Sequence, residues 1–371
     1  MKRIHLILII ATLLNSFAFD AEALGPLRQR RVDRRNDRRN VVVPRPAPPP
    51  APVPFVPSDD TLPDREVEVS SLQRPIIEGK TVSWEAAYLM ARISNLIYSP
   101  GPKVESQLRT WGFDVRYISL TNAAACVAWN DEATIIAFCG TDDAADLVVD
   151  MKLFRVAVPE GLMHLGFYNE YMRIEQAVIA AIPSDNRERK LWLTGHSLGG
   201  AMAAICGYSL SKKGINVDSL ATFGQPMFAN KAMANFLTKQ SKERCLRFVN
   251  ERDIIPRVPP AFYHHYGRQA FFSADGVNVQ GRPNQMGAGD APVITSSEFV
   301  GGQGPLTVEE FERLKQELRA TQPAISERYG VAQGMLAQGS TERAAIIRYI
   351  PYFEDHRMVH YVEKVLRELN R

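Results

Sequence analysis

The sequence predicts an α/β protein with a mostly parallel central sheet and helices on both faces, and three observations carry that expectation. From Tyr168 to Asn250 helix-like and strand-like runs alternate, the pattern of strands joined by crossover helices. Residues 194–200, "TGHSLGG", set a serine between glycines where a strand-like run meets a helix-like one. The chain has 371 residues, of which 45% are hydrophobic and 23% charged. That is enough for a sizeable core in one large domain or two small ones.

The first segment, "MKRIHLILIIATLLNSFAFDAEA", has Lys2 and Arg3, then an apolar run from Leu6 to Leu14, then the small-residue site Ala21-Glu22-Ala23. This is the layout of a signal peptide over residues 1–23, and the apolar run is too short to span a bilayer. The expectation is export, to a secreted or periplasmic location; the alternative is an uncleaved anchor. Ser16-Phe17-Ala18 offers a second cleavage point, and no cysteine lies near either site for lipid attachment.

Residues 24 to about 75 read as a disordered arm. Eight arginines (28, 30, 31, 34, 35, 38, 39 and 45) precede or enter "PRPAPPPAPVPFVP", in which eight of fourteen residues are proline. Such a stretch cannot bury enough apolar surface to offset its ordering entropy, and its prolines favour an extended spacer. Residues 24–57 alone carry +6 against a net charge of +3 for the whole chain, and the first 23 residues sum to zero, so residues 58–371 sum to −3 and the folded part is not basic. The plain reading is a solvated tether. Attraction to an anionic envelope or membrane surface is the sharper one, and no nucleic-acid partner is expected, because export removes the usual one and no aromatic residues interleave with the arginines.

The folded domain, expected over 76–371, begins with a helix capped by Ser83, "WEAAYLMARISNLIYS", ending at Pro100-Gly101. Strands follow at "VRYISL", "ACVAWN" and "TIIAFC". The alternating part then supplies helix "YNEYMRIEQAVIAAI", strand "KLWLT", helix "GGAMAAICGYSLSKK", strand "VDSLATF", helix "KAMANFLTKQ" and strand "RCLRFVN". Residues 267–304 are rich in Gly, Asn and Pro with no clear period, and helices return at "TVEEFERLKQELRA" and "MVHYVEKVLREL". The cysteines, Cys126, Cys139, Cys206 and Cys245, lack metal-ligand spacing and read as buried thiols.

The chemistry centres on Ser197. In a sharp strand-to-helix turn, a side chain at Gly195 or Gly199 would collide with neighbouring backbone, and the turn lifts the serine hydroxyl clear of the sheet. The backbone N–H of Leu198, at the helix start, can face a developing oxyanion. A second donor is expected from "AFCGTDDAADLVVDMK", where Gly140 permits close approach and Thr141 offers its N–H and hydroxyl; the plain alternative there is a helix cap. A serine hydroxyl needs a base, and on this arrangement the order is serine, acid, histidine. Asp253 follows a strand-like run and precedes a proline-bounded loop. Asp218 competes but starts a strand, and Glu251 is weaker. His264, His265, His356 and His360 are the histidines that follow, and position favours His356, in a loop before the last helix.

Taken together, "IIAFCGT", "DLVVDMK", "MHLGFYNEY", "LTGHSLGGAMA", "TFGQP", "RFVNERDIIPRVPP" and "DHRMVHY" resemble, in order, the class 3 (fungal-type) lipase family of the α/β-hydrolase fold. The resemblance covers roughly residues 80–371. It implies Ser197 as nucleophile, Asp253 as orienting acid and His356 as base, because Asp355-His356 with Met358 and Tyr361 is similar to the family's closing pattern. It also implies Thr141 and Leu198 as oxyanion donors, a lid over about 142–152, and a structural role for His164. Cys139 and Met227 stand where many members have arginine. The 103 residues from Asp253 to His356 exceed what the fold needs, and the surplus, about 267–338, is expected to be an insertion that caps the cleft or docks elsewhere.

The expected activity is hydrolysis of carboxylic esters of lipids through an acyl-enzyme on Ser197, with a lipid ester as partner and neither cofactor nor metal required. Phospholipase A1 or short-chain carboxylesterase activity uses the same triad, as does acyl transfer to another acceptor. From a different class, a catalytically silent fold used as an envelope-binding module remains open.

Overall fold

The ordered chain begins before the expected boundary at 76. Val69–Gln73 forms a 3-10 turn, Leu72 is buried, and the Trp192 indole donates to the Leu72 carbonyl at 3.0 Å. One apolar side chain and one indole hydrogen bond thus recruit residues that composition assigned to the arm. The computed structural model describes residues 69–120, 123–141, 144–241, 244–260, 262–273, 276–280, 305–330, 353 and 355–371. The expected signal peptide, the arm to residue 68, and 281–304 and 331–338 of the expected insertion lie outside these. Among the described residues no helix is long and apolar enough to cross a membrane.

After the hairpin β1 (Ile77–Glu78) and β2 (Thr81–Val82) come helices α1 (Trp84–Leu96) and α2 (Gly101–Thr110). Strands β3 (Asp114–Leu120), β4 (Ala123–Trp129) and β5 (Ala133–Phe138) follow, then α3 (Ala144–Asp150) and the hairpin β6 (Arg155–Val158) and β7 (Gly161–His164). The chain continues through α4 (Leu165–Ala181), β8 (Lys190–His196), α5 (Leu198–Lys212), β9 (Ser219–Phe223), α6 (Lys231–Ser241) and β10 (Cys245–Asn250). It closes with β11 (Arg268–Ser273), β12 (Gly276–Gln280), α7 (Val308–Gly330) and α8 (Met358–Leu369).

The central sheet has eight strands in the order β12-β11-β10-β9-β8-β5-β4-β3. Neighbours from β5 through β11 pair in parallel, while β3, β4 and β12 are antiparallel. This is the mostly parallel sheet of the α/β-hydrolase fold. Residues 268–280 are therefore sheet, not insertion: β11 extends the parallel run with buried Ala270, Phe271 and Phe272. Pro102 lies in the first turn of α2, where a missing N–H costs nothing, so the Pro-Gly pair that ends one helix also opens another. Ser83 precedes α1 without a side-chain cap bond; its main-chain carbonyl accepts from Ala87 N–H instead.

Two apolar layers flank the sheet. One holds α1, α2 and α8, the other α3, α4, α5 and the start of α7. Helix α8 shows why: Met358, Tyr361, Val362 and Val365 fall on one stripe at helical spacing and are all buried. Each such side chain contributes about 1.5–3 kcal/mol of burial. Helix α5 must approach the sheet closely, since a Cβ on Gly199 would strike the Phe138 carbonyl. On the α3 side, Phe311, Leu314 and Leu318 of α7 are buried in the same cluster as Val148, Val149 and Met151. Lys315 Nζ donates to the Met151 carbonyl at 2.9 Å. None of the four cysteines is in a disulfide; three are buried and Cys139 is half-buried. Met227, like them, is core.

Candidate active site

Parallel strands deliver their C-terminal ends to one edge, and each predicted site residue follows such an end: Gly140 and Thr141 after β5, Ser197 after β8, Asp253 after β10. Gly224, after β9, completes the row. Clefts at this edge are where open α/β sheets bind ligands.

Ser197 has φ 56° and ψ −129° and stands alone among the described non-glycine residues in having positive φ. For a residue with a Cβ this conformation stores backbone strain, of a kind that clusters at functional sites. It persists because its surroundings permit nothing else. Ser197 N–H donates to the Phe223 carbonyl at 2.9 Å, and a Cβ on Gly195 would collide with the main chain of Gly199. Both glycines are thus required on the grounds that the sequence suggested. A Cβ on Gly140 would meet the Tyr98 hydroxyl, and at 3.2 Å the Ser197 Cβ, so the β5 turn packs directly against the serine. Thr141 is half-buried beside it, and Leu198 opens α5. Asp142 and residue 143 of the expected lid lie outside the described residues, and α3 occupies 144–150 of it.

Asp253 is buried, and each of its oxygens is engaged. Oδ1 accepts from Ile255 N–H at 2.9 Å. Oδ2 accepts from the Tyr361 hydroxyl at 2.6 Å and from His356 Nδ1 at 2.8 Å. Burial, and then the Asp253 charge, push the Tyr361 phenol well above its ordinary value of 10, so it remains a donor. Because the carboxylate can only accept, His356 Nδ1 carries the hydrogen and Nε2 keeps its lone pair. That is the tautomer a base needs.

Ser197 Oγ and His356 Nε2 are both buried without a hydrogen-bond partner. Their surroundings join them. The His196 ring packs against the His356 ring, tilted by 31° with 4.4 Å between centroids, and its Nε2 donates to the His356 carbonyl at 2.6 Å. Gly224, with φ +57°, fits between acid and base: a Cβ there would lie 2.8 Å from Asp253 Oδ2 and 2.8 Å from His356 Nδ1.

The competing residues lie elsewhere. Asp218 accepts from Leu191 N–H at 3.0 Å and pairs with Lys190, at the opposite end of the sheet. His265 donates to the Pro256 carbonyl at 2.7 Å, and the His264 main chain bridges Ala229. His360 pairs with Glu363 at 3.4 Å and is half-buried. His164 caps α4, accepting from Phe167 N–H at 3.3 Å and donating to the Lys152 carbonyl at 2.6 Å. Tyr98, Gly224 and the partner roles of His196 and Tyr361 escaped the sequence reading. A glycine directly after the strand "LATF" was the one available signal.

Known proteins resemble this chain over part of its length. Residues 135–263 match the family model described as lipase (class 3). A lipase of Rhizomucor miehei is 30% identical over 166 residues, covering 42% of this chain and 45% of its own length. A secreted mono- and diacylglycerol lipase A of Penicillium camembertii is 27% identical over 186 residues, covering 47% of this chain and 60% of its own. The chain spans about half the length of these curated relatives. Among solved structures, a triacylglycerol lipase whose catalytic centre is described as a serine protease triad is 26% identical. It covers 53% of this chain and 82% of its own, with a TM-score of 0.47.

Proposed function

We propose that the protein, whose residues 135–263 match the lipase (class 3) family model, is an exported serine hydrolase cleaving carboxylic ester bonds of lipids. The observation that carries the reading is the buried Asp253–His356 pair beside a strained serine, with Ser197 Oγ and His356 Nε2 both left without partners. Two reactive atoms left unpaired in a buried site cost stability, and catalysis is the return that makes sense of that cost.

In the proposed reaction His356 Nε2 takes the Ser197 proton as Oγ attacks the ester carbonyl carbon. The carbonyl oxygen becomes an oxyanion, received by the N–H groups of Thr141 and Leu198. His356 then gives the proton to the leaving alcohol, which departs and leaves an acyl-enzyme. Water repeats the sequence: His356 removes its proton, the acyl carbon is attacked, and the fatty acid leaves as Ser197 is restored. Asp253 keeps Nδ1 protonated and stabilises the imidazolium without itself changing charge. Ser197 and His356 are 0% and 3% exposed, so substrate entry requires a movement. Helix α3 is the element proposed to move, as the lid, with α7 as its brace.

Hydrolysis of p-nitrophenyl esters from acetate to palmitate, by the full chain and by Ser197→Ala, tests the reading. Serine-dependent turnover rising with chain length is the expected result; a preference for acetate reduces the assignment to a short-chain esterase. Turnover retained in Ser197→Ala overturns the nucleophile, and a folded chain inactive on every ester leaves the envelope-binding module.

A further inference from the structure

The residue before the serine has its own hydrogen-bond chain. His196 ends β8, is buried, and reaches 160 residues along the sequence to the His356 carbonyl. Its other ring nitrogen, Nδ1, lies 2.8 Å from the Tyr98 hydroxyl. A carbonyl can only accept, so Nε2 bears the hydrogen; in a neutral imidazole Nδ1 then accepts, and Tyr98 is the donor. The His356 carbonyl thereby fixes the tautomer of His196, and Tyr98, just after α1, satisfies its second nitrogen. Burial and the neighbouring His356 hold His196 well below the usual imidazole value, so the ring packed against His356 is neutral. A neutral ring face does not repel the imidazolium that forms on His356 during attack. Tyr98 and Tyr361 pack edge-on against the same ring at 5.8 and 6.1 Å, leaving it little freedom.

We propose that His196, with its second ring nitrogen anchored by Tyr98, is a positioning residue that holds the main chain of His356 from the nucleophile's own strand. The proposal rests on the reading of Ser197, Asp253 and His356 as a triad. The need for it is geometric. Asp253 engages His356 at Nδ1 alone, and a single contact leaves the ring able to pivot and the loop able to slide. The bond to the His356 carbonyl fixes a second point on the same residue. Because it starts from the residue next to Ser197, it sets the base relative to the nucleophile and not merely relative to the acid. A misplacement of about 1 Å in such an arrangement costs roughly a hundredfold in rate.

Three variants of the full chain test this, with Ser197→Ala beside them. His196→Phe keeps a packed ring but removes both hydrogen bonds, and is expected to lower kcat about a hundredfold with KM unchanged. Tyr98→Phe removes only the hydroxyl that anchors His196 Nδ1 and is expected to lower kcat about tenfold. His196→Gln restores an N–H able to reach the carbonyl and is expected to recover part of the loss, with a Tm matching that of His196→Phe. The hydrogen-bonded Nδ1 proton of His356, read by NMR, is expected to broaden in His196→Phe and sharpen again in His196→Gln. Parental kcat in both His196→Phe and Tyr98→Phe, while Ser197→Ala is inactive, overturns the positioning role and leaves the triad standing. A kcat loss that follows Tm across the three variants, with no recovery in His196→Gln, overturns it too. Turnover in Ser197→Ala instead removes the triad reading, and this proposal with it.

Discussion

Ser197 is held by main chain and His356 by side chains, although the two meet at one edge of the sheet. Around the serine the constraints are collisions: Gly195 against Gly199, Gly199 against the Phe138 carbonyl, and a positive φ that the turn enforces. Around the histidine they are hydrogen bonds from Asp253 and His196, together with one from Asn250 Nδ2 to the preceding Asp355 carbonyl at 2.7 Å. Steric constraints of the first kind do not titrate and cannot be weakened by degrees. Constraints of the second kind can be removed one at a time, and some of them carry protons. The nucleophile should therefore respond to mutation as a switch, and the base by increments.

The sharpest way to break that contrast is at Gly224, where the two kinds meet. Gly224→Ala places a methyl 2.8 Å from both Asp253 Oδ2 and His356 Nδ1 at a φ of +57°. It should prise the acid from the base and lower kcat by more than about a hundredfold. Circular dichroism checks that the fold remains. Near-parental kcat would mean that the acid–base contact tolerates displacement and that side-chain constraints are looser than the distances imply.

A smaller effect is expected from acid, which acts on side-chain constraints and spares steric ones. Burial, opposed by the Lys152 carbonyl, lowers His164 from 6.5 to about 4. As pH falls, the unfolded chain takes up this proton first, so stability present above about pH 6.5 is lost progressively down to about pH 4. The contribution of this group is on the order of 3 kcal/mol across the window. Burial depresses His196 and His265 likewise, adding to the same acid slope. Urea midpoints measured from pH 7 to 4 should fall, and His164→Gln should flatten part of the decline. An unchanged slope in His164→Gln would show that His164 is not buried neutral.

The same contrast explains what the sequence made legible. Collisions leave a local trace, because the residue that must lack a side chain is glycine within two positions of the serine; "GHSLGG" could be read on that basis alone. Asp253 was distinguished from Asp218 by strand polarity, which is also local. His356 needed the family resemblance, since what holds it comes from Tyr98, His196, Asn250 and Asp253, and no spacing in the chain reports those meetings. The missed strands have a similar cause. β11 is recognisable by its parallel pairing with β10, whereas its sequence, short and followed by Gly, Asn and Pro, looks like loop. Leu72, too, joins the fold only because Trp192 reaches it.

The smallest effect is expected from the one base-side contact that faces water. Arg252 pairs with Asp355 at 2.9 Å, but its side chain is 55% exposed. Exposed pairs of this kind contribute about 0–1 kcal/mol, since solvent screens them and the long side chain loses entropy. Asp355 also keeps the Asn250 bond to its carbonyl, and the next residue keeps Asp253 and His196. Arg252→Ala should consequently change kcat by less than about twofold, and it should leave KM alone, as read from the same ester assay. If kcat instead falls about tenfold, the loop is being pulled into place from the surface. The buried bonds would then follow the loop's position rather than set it, and the division between a sterically held serine and an internally bonded histidine would have to be redrawn around Arg252.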